Sequence, residues 1–170
     1  MRLPWDRFQI LALASAIGAF ALTVAGGVVT QTESGTGCPD WPLCNGQVVP
    51  DFSIPAVGIE WTHRTIAAVE GVLVLITTIF AWRDRRRERR ILFTSVASLI
   101  LVIVQAGLGA AVVFTATENK PLVVLHLSVA AAFFALAVVT AVLAFVLPRP
   151  AIGHLEAEPS NPAAGPDGNP

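Results

Sequence analysis

Four long apolar runs limit what this chain can fold into more than any other feature. They cover residues 8–29, 58–82, 91–114 and 121–147. Because an α-helix rises about 1.5 Å per residue, about 20 residues cross a bilayer core of about 30 Å, and every run is long enough. With 54% hydrophobic and only 14% charged residues among 170, the chain is too apolar for a soluble domain. We therefore predict an all-α integral membrane protein, a bundle of four transmembrane helices.

The first run has an alternative interpretation as a cleaved signal peptide. It is longer than the apolar core of an ordinary signal peptide, and it leads into the pair Gly26-Gly27, which suits close helix packing. We therefore expect it to remain in the protein as the first transmembrane helix.

The basic residues predict the orientation of the bundle. Arginines collect near both chain ends and between the second and third runs, where we expect a loop over residues 83–90, whereas only Lys120 flanks the opposite side. Because Lys and Arg accumulate on the cytoplasmic side, both termini are expected in the cytoplasm of a prokaryotic cell, with the bundle in its plasma membrane. A nucleic-acid patch is the alternative, but a position between two spans and a net charge of −1 favour a topology anchor.

The composition changes after residue 147 to a stretch rich in proline, glycine and acidic residues. This stretch has too little apolar surface to form a core, so residues 148–170 are predicted to be a disordered cytoplasmic tail. His154 lies in the tail and is expected to belong to no site. The organisation is therefore one membrane domain, residues 1–147, followed by the tail.

The longest segment between spans, residues 30–57, contains both cysteines of the chain, Cys38 and Cys44. On the outer, oxidising side of a prokaryotic membrane, two cysteines closing a small loop are most simply a disulfide. A zinc site would need four ligands where two thiols exist, and a redox-active pair that exchanges electrons with a partner is a further alternative. The glycines and prolines around them supply tight turns, so we expect an ordered extracytoplasmic lid.

Ionisable residues inside the second and fourth runs are the strongest functional signal. Such groups cost several kcal/mol in hydrocarbon unless they are paired, protonated or bound to a metal. Four residues recur at helical spacing along one face of the second run: Glu60, His63, Ala67 and Glu70. His63 and His126 each lie five residues after the outer end of their run, so we expect both imidazoles about 7–8 Å below it.

Two histidines at equal depth on different helices can face each other across a bundle interior. This arrangement suits a heme, because the planar porphyrin takes one axial imidazole from each side. The alternative for a histidine in a membrane helix is a hydrogen bond to a neighbouring helix. Arg64 could pair with Glu60 or with a heme propionate. Gln105, a polar group inside the third run, is expected to face inward as a further contact to the heme.

Together these segments resemble the heme A synthase family. The resemblance rests on residues 32–46, which read TESGTGCPDWPLCNG, on residues 60–64, which read EWTHR, on Gln105 with Leu108-Gly109, and on residues 121–126. The loop motif is highly specific, and the resemblance covers residues 26–130. It implies oxidation of the C8 methyl group of heme O to a formyl group, which yields heme A for terminal oxidases.

The same resemblance implies roles for individual residues. Glu60 matches a carboxylate that matters for function in the family, and His63 and His126 match its heme ligands. Cys38 and Cys44 match its outer-loop disulfide. We expect Glu60 to serve the oxidation step, by moving a proton or by stabilising charge at the methyl carbon. The alternative for Glu60 is a purely structural ion pair at the membrane boundary.

The chain differs in size from typical members of that family. These have eight spans in two similar halves, one for the substrate heme and one for a b-type heme, whereas this sequence predicts one half. Self-association of identical subunits would restore two sites, so we expect a homo-oligomer with heme b in a second site on another protomer. Heme O synthase, an electron donor and a thiol–disulfide partner are the other expected partners. No nucleic acid is expected.

Two other functions agree with parts of the pattern. A b-type electron carrier, or a half that binds heme without oxidising it, would explain the histidines but leave Glu60 and the elaborate loop without a task. A membrane thiol oxidase would use the cysteines, but such enzymes relay electrons through two cysteine pairs, and this chain has one.

Overall fold

The computed structural model describes residues 5–115 and 119–147, so the predicted tail with His154 lies outside the described residues. Four α-helices make up most of the described chain: α1 (Arg7–Gln31), α2 (Pro55–Arg85), α3 (Arg89–Phe114) and α4 (Lys120–Val146). All four are long and apolar enough to cross a membrane. The predicted all-α membrane architecture with four spanning helices is therefore confirmed.

Local capping chemistry explains where the helices begin. Asp6 caps α1 by accepting a hydrogen bond from the backbone N–H of Gln9, and the Gln9 side chain accepts one in return from the Asp6 N–H. Asn119 caps α4 by accepting from the N–H of Leu122. Helix α2 has Pro55 in its first turn, where the missing proline N–H costs no hydrogen bond.

Helix α2 is longer than the apolar run from which it was predicted. It extends three residues beyond residues 58–82 at each end, to Pro55 and Arg85. The loop predicted over residues 83–90 is therefore reduced to residues 86–88, because α3 begins at Arg89. Hydropathy marks only the part of a helix that can lie in hydrocarbon, whereas capping and packing decide where the helix ends.

The helices pack as a ring in chain order, each against the two beside it, with α1 and α4 closing the ring. Helices α2 and α4 therefore face each other diagonally across the interior. We name the end that contains Asp6 and Arg85 the arginine end, and the other end, covered by residues 32–54, the lid end. Six buried residues form an apolar cluster near the arginine end: Phe8, Ala12, Ala81, Ile91, Ala141 and Ala144.

Residues 32–54, which we call the lid, fold back onto the start of α2. Cys38 and Cys44 are joined by a disulfide with a Cα–Cα distance of 4.6 Å, as predicted, and both are buried against Val57. Trp61 donates a hydrogen bond from Nε1 to the carbonyl oxygen of Val48 at 2.8 Å. At Gly37 an added Cβ would lie 2.5 Å from the carbonyl oxygen of Ala56, so the close approach of lid and helix requires glycine.

Candidate functional site

The inward face of α2 carries a stripe of polar groups from the lid end to the arginine end. The buried residues of this helix recur at helical spacing: Val57, Glu60, Glu70, Val74, Thr77, Thr78, Ala81 and Arg85. His63 lies on the same stripe, three residues after Glu60 and seven before Glu70, and is half-buried. The predicted common face of the two glutamates and the histidine is therefore present in the structure.

Glu60 and Arg64 form an ion pair that also holds the lid. Glu60 is 5% exposed, and its Oε1 accepts a hydrogen bond from Arg64 Nε at 2.7 Å. Arg64 also donates from Nη1 to the carbonyl oxygens of Asp40 and Leu43, at 2.6 and 3.0 Å, and from Nη2 to that of Cys38 at 2.7 Å. Of the two partners that the sequence allowed for Arg64, the structure contains Glu60, and four of the five guanidinium N–H groups are in use.

Asp40 fixes the turn within the disulfide loop next to Arg64. Its carboxylate accepts hydrogen bonds from the backbone N–H groups of Asn45, at 2.6 Å, and Gly46, at 2.8 Å. The hydrogen bond from Gly46, followed by that from Asn45 and the charge of Arg64, lowers the pKa of Asp40 below its ordinary value, and partial desolvation opposes this. The loop therefore presents its carbonyl oxygens to Arg64 from a locally fixed turn.

Each histidine of the candidate site packs against a glycine of the preceding helix. A Cβ added to Gly26 of α1 would lie 3.3 Å from Cε1 of His63, and one added to Gly109 of α3 would lie 3.4 Å from Cε1 of His126. Both histidines lie in the half of the bundle nearer the lid, eight residues after the first residue of α2 and six after that of α4. The structure thus brings both predicted ligands into one region of the bundle, each beside a backbone without a side chain.

The depths of the two histidines differ slightly from the sequence expectation. His63 is the eighth residue after Pro55 and His126 is the sixth after Lys120, so they lie about 12 Å and 9 Å along their helices rather than at equal depth. The reason is that α2 begins three residues before its apolar run, whereas α4 begins only one residue before its own.

Three buried polar atoms of the lid half have no hydrogen-bond partner among the described residues. They are Nδ1 of His63, Nδ1 of His126 and Oε1 of Gln105. Buried polar atoms are normally paired, since an unpaired one costs about 1–3 kcal/mol. A ligand bound beside them could supply partners for these three atoms. The burial of Oε1 agrees with the expectation that Gln105 faces inward.

The donor set suits a heme better than a bare metal ion. In residues 5–115 and 119–147, no cluster of three or more His, Cys, Asp or Glu side chains could hold a metal ion. A porphyrin supplies four nitrogen ligands itself, so one imidazole on each side of its plane completes the iron site. An open groove of about 640 Å³ lies beside His63 between α1 and α2, and its lining, which includes Val28, Phe52 and Ile59, is mostly apolar.

Two buried charged groups received no role from the sequence. Glu70 was expected only as part of the α2 face, but it is 2% exposed and its Oε1 has no hydrogen-bond partner. Arg85 was expected in a cytoplasmic loop, yet it is also 2% exposed, because Nη2 pairs with Asp6 Oδ2 at 2.5 Å and the guanidinium lies over the ring of Phe8. Continuing the helical spacing past Glu70 would have placed Arg85 on the same face.

Comparison with known proteins gives consistent matches. A family described as cytochrome oxidase assembly protein matches residues 9–56 and 51–164. The heme A synthase of Alkalihalophilus pseudofirmus is 36% identical over 141 residues, which are 82% of this chain and 47% of the relative. The heme A synthases of Geobacillus kaustophilus and Shouchella clausii are 34% and 37% identical over 81% and 79% of this chain, and 44% and 45% of their own lengths. The chain spans less than half the length of these relatives.

Proposed function

The chain belongs to the heme A synthase family of cytochrome oxidase assembly proteins, and we propose that it binds heme between His63 and His126 and oxidises the C8 methyl group of heme O to the formyl group of heme A. One observation carries the proposal: two inward imidazoles on facing helices, each against a glycine and each with an unpartnered buried Nδ1. The named relatives are about twice as long, so the activity of this shorter chain is what the experiments below test.

We assign the binding of the heme to residues of the lid half. His63 and His126 would hold the heme iron, and Gln105 of α3 would be a further contact of the heme. When bound, the heme iron supplies the redox chemistry of the site. Gly26 and Gly109 leave the space beside the imidazoles open, because a side chain at either position would press on the ring.

Glu60 is the proposed catalytic carboxylate. It lies about one helical turn closer to the lid than His63, about 4.5 Å along the helix axis, on the same inward face of α2. Conversion of a methyl group and one water molecule to a formyl group releases four protons and four electrons. An external oxidant takes the electrons, and a fixed carboxylate can accept one of the protons or stabilise positive charge at the carbon. Arg64 is a positioning residue, since it holds Glu60 at 2.7 Å and ties it to the lid.

The proposal also covers the orientation in the membrane, the oligomeric state and the partners. We place the arginine end in the cytoplasm and the lid on the outer face of a prokaryotic plasma membrane, because the arginines flank that end. A homo-oligomer would supply heme b in a second site on another protomer. Heme O synthase, an electron donor and a thiol–disulfide partner acting on Cys38 and Cys44 complete the proposed set of partners.

The two inward imidazoles also suit a second candidate, a heme-binding half that carries electrons without oxidising the porphyrin. Expression of the full chain with and without a heme O synthase, followed by mass identification of the extracted hemes, separates the two functions. Heme A or a hydroxylated heme O is expected from the enzyme, and heme b alone from the carrier.

Single substitutions then test the assigned residues. His63→Ala and His126→Ala are each expected to abolish the bis-imidazole absorption spectrum, and an unchanged spectrum in both would refute the ligation. Glu60→Gln is expected to keep near-normal heme content while product stalls at heme O or the alcohol. The matched control is Glu33→Gln in the exposed part of the lid. Heme A formation by Glu60→Gln at the wild-type rate would remove Glu60 from catalysis.

A further inference from the structure

We propose that Glu70 is a proton-binding site coupled to the redox state of the heme, so that its carboxylate takes up one proton as the heme iron is reduced and releases it on oxidation. The proposal rests on the bis-histidine heme proposed above and adds a residue outside the ligand set. In the coupled step, one electron comes from an external reductant and one proton from the aqueous medium, so the net charge of the bundle interior is unchanged.

The position of Glu70 is the first observation. It lies on the inward stripe of α2, seven residues from His63, which corresponds to about 10–11 Å along the helix axis. The side chain is 2% exposed, and Oε1 has no hydrogen-bond partner among the described residues. A Cβ added to Gly18 of α1 would collide with the carboxylate, so the glycine provides the room that this group needs.

The charges around Glu70 are the second observation. Charged residues of the other three helices lie at helix ends: Arg7 on α1, Arg89 and Arg90 on α3, and Lys120 on α4. The titratable groups that face the interior nearest to Glu70 are His63 on its own helix and His126 on α4, with the paired Glu60 and Arg64 nearer the lid and the paired Asp6 and Arg85 at the arginine end. The helices that the structure describes therefore give Glu70 no fixed countercharge at its own depth.

A carboxylate in hydrocarbon costs several kcal/mol unless a proton or a positive charge accompanies it. A ferric heme between His63 and His126 would be the nearest such charge, and reduction removes it. At an effective dielectric constant of about 20, one unit charge about 10 Å away changes the proton affinity of a carboxylate by about tenfold. Reduction is therefore expected to favour the protonated form of Glu70.

A small cavity on the arginine side of Glu70 has serine and threonine residues around it. It has a volume of about 10 Å³, begins one turn from Glu70 toward the arginine end, and is lined by Ser15, Thr77, Ser95, Ser98 and Thr140 among others. Ser15 and Thr77 share a hydrogen bond of 2.9 Å, whereas Oγ of Ser95 and of Ser98 are buried without partners.

The test measures the midpoint potential of bound heme b against pH in detergent-solubilised full-length protein, with dithionite as reductant. The wild-type potential is expected to fall by a total of about 59 mV over the pH range in which Glu70 titrates, which is a tenfold affinity change converted for one electron. Glu70→Gln is expected to lose this component, leaving only the pH dependence of other groups such as the propionates and Glu60.

Two alanine variants of α1 form a matched pair. Gly18→Ala pushes the carboxylate aside without changing any charge, whereas a Cβ at Gly27 meets nothing within 4 Å. Gly18→Ala is expected to alter the pH-dependent component and Gly27→Ala to leave it as in the wild type. Equal potentials at every pH in the wild type and both alanine variants would contradict the proposal, as would a wild-type pH dependence in Glu70→Gln.

Spectra separate this proposal from the one on which it rests. A bis-imidazole spectrum with a potential that is insensitive to Glu70 overturns only the coupling, whereas the absence of that spectrum in the wild type overturns both proposals. If Glu70→Gln does not fold, the reduced-minus-oxidised infrared difference spectrum of the wild type tests the protonation of Glu70 instead. A carboxylic-acid carbonyl band that is gained on reduction and altered in Gly18→Ala supports the proposal, and its absence overturns it.

Discussion

The arginine end and the region around the two histidines differ in how their buried side chains are paired. At the arginine end, Arg85 pairs with Asp6, and Gln9 donates from Nε2 to the carbonyl oxygen of Ala144 at 3.0 Å. In the lid half, His63, His126 and Gln105 each keep a buried polar atom without a partner. An unpaired buried group lowers stability, so the region around the histidines loses free energy of folding at the place where we propose that heme binds.

The largest expected effect lies at the arginine end. Arg85→Ala should lower the free energy of unfolding by about 3 kcal/mol, because it removes the ion pair with Asp6 and opens a cavity beside Phe8. Denaturant unfolding in detergent micelles measures the change. Arg83→Ala is the control, since the Arg83 side chain is 78% exposed and should contribute less than about 0.5 kcal/mol. Equal losses of unfolding free energy in Arg85→Ala and Arg83→Ala would contradict a stabilising role for the buried Arg85–Asp6 pair.

Removing the disulfide tests whether the lid belongs to the heme-binding site. Cys38→Ser should destabilise the lid by about 2 kcal/mol, the chain-entropy estimate for so short a loop, while the four packed helices persist. Limited proteolysis should then cut within residues 32–54, and the bis-imidazole spectrum should survive better than heme A formation does. Loss of the heme together with the lid would instead make the lid part of the binding site.

A pair of leucine substitutions compares the halves directly. His63→Leu removes an unpartnered polar atom and should change the free energy of unfolding of the heme-free protein by between zero and a gain of about 1 kcal/mol, while abolishing bis-imidazole ligation. Gln9→Leu removes a satisfied polar group and should cost about 1–2 kcal/mol. A gain of stability in His63→Leu and a loss in Gln9→Leu, measured by thermal unfolding, would support the difference between the two regions. Equal losses would contradict it.

The smallest expected effect is a pH dependence of the lid. Because the hydrogen bond from Gly46 and its companions lower the pKa of Asp40, the folded loop binds fewer protons than the unfolded one, and its stabilisation is complete above the ordinary value of 3.8. That stabilisation should disappear as the pH falls through the lowered folded-state pKa. Lid proteolysis should therefore increase at acid pH in the wild type, whereas Asp40→Asn should already be more susceptible at neutral pH and change less.

Much of the site could be predicted from the sequence because its signals are local. Helical spacing alone placed Glu60, His63 and Glu70 on one face, and the two cysteines six residues apart could close a disulfide with almost any fold around them. The glycines that receive the imidazoles were not identified as their neighbours. Gly26 and Gly109 belong to different helices from the rings that they touch, so no spacing within one helix could reveal the contact.

The sequence by itself determined that this chain forms four membrane-spanning helices, since the apolar length of each run and the cost of unpaired backbone in lipid leave no other structure. Which polar groups have hydrogen-bond partners depends on the tertiary structure. Arg64 links Glu60 to three carbonyl oxygens of the lid. Arg85, which the sequence assigned to a loop, forms a buried pair with Asp6. Whether a buried polar atom has a partner depends on the atoms that other helices bring within about 3 Å, which hydropathy and spacing along one helix do not contain.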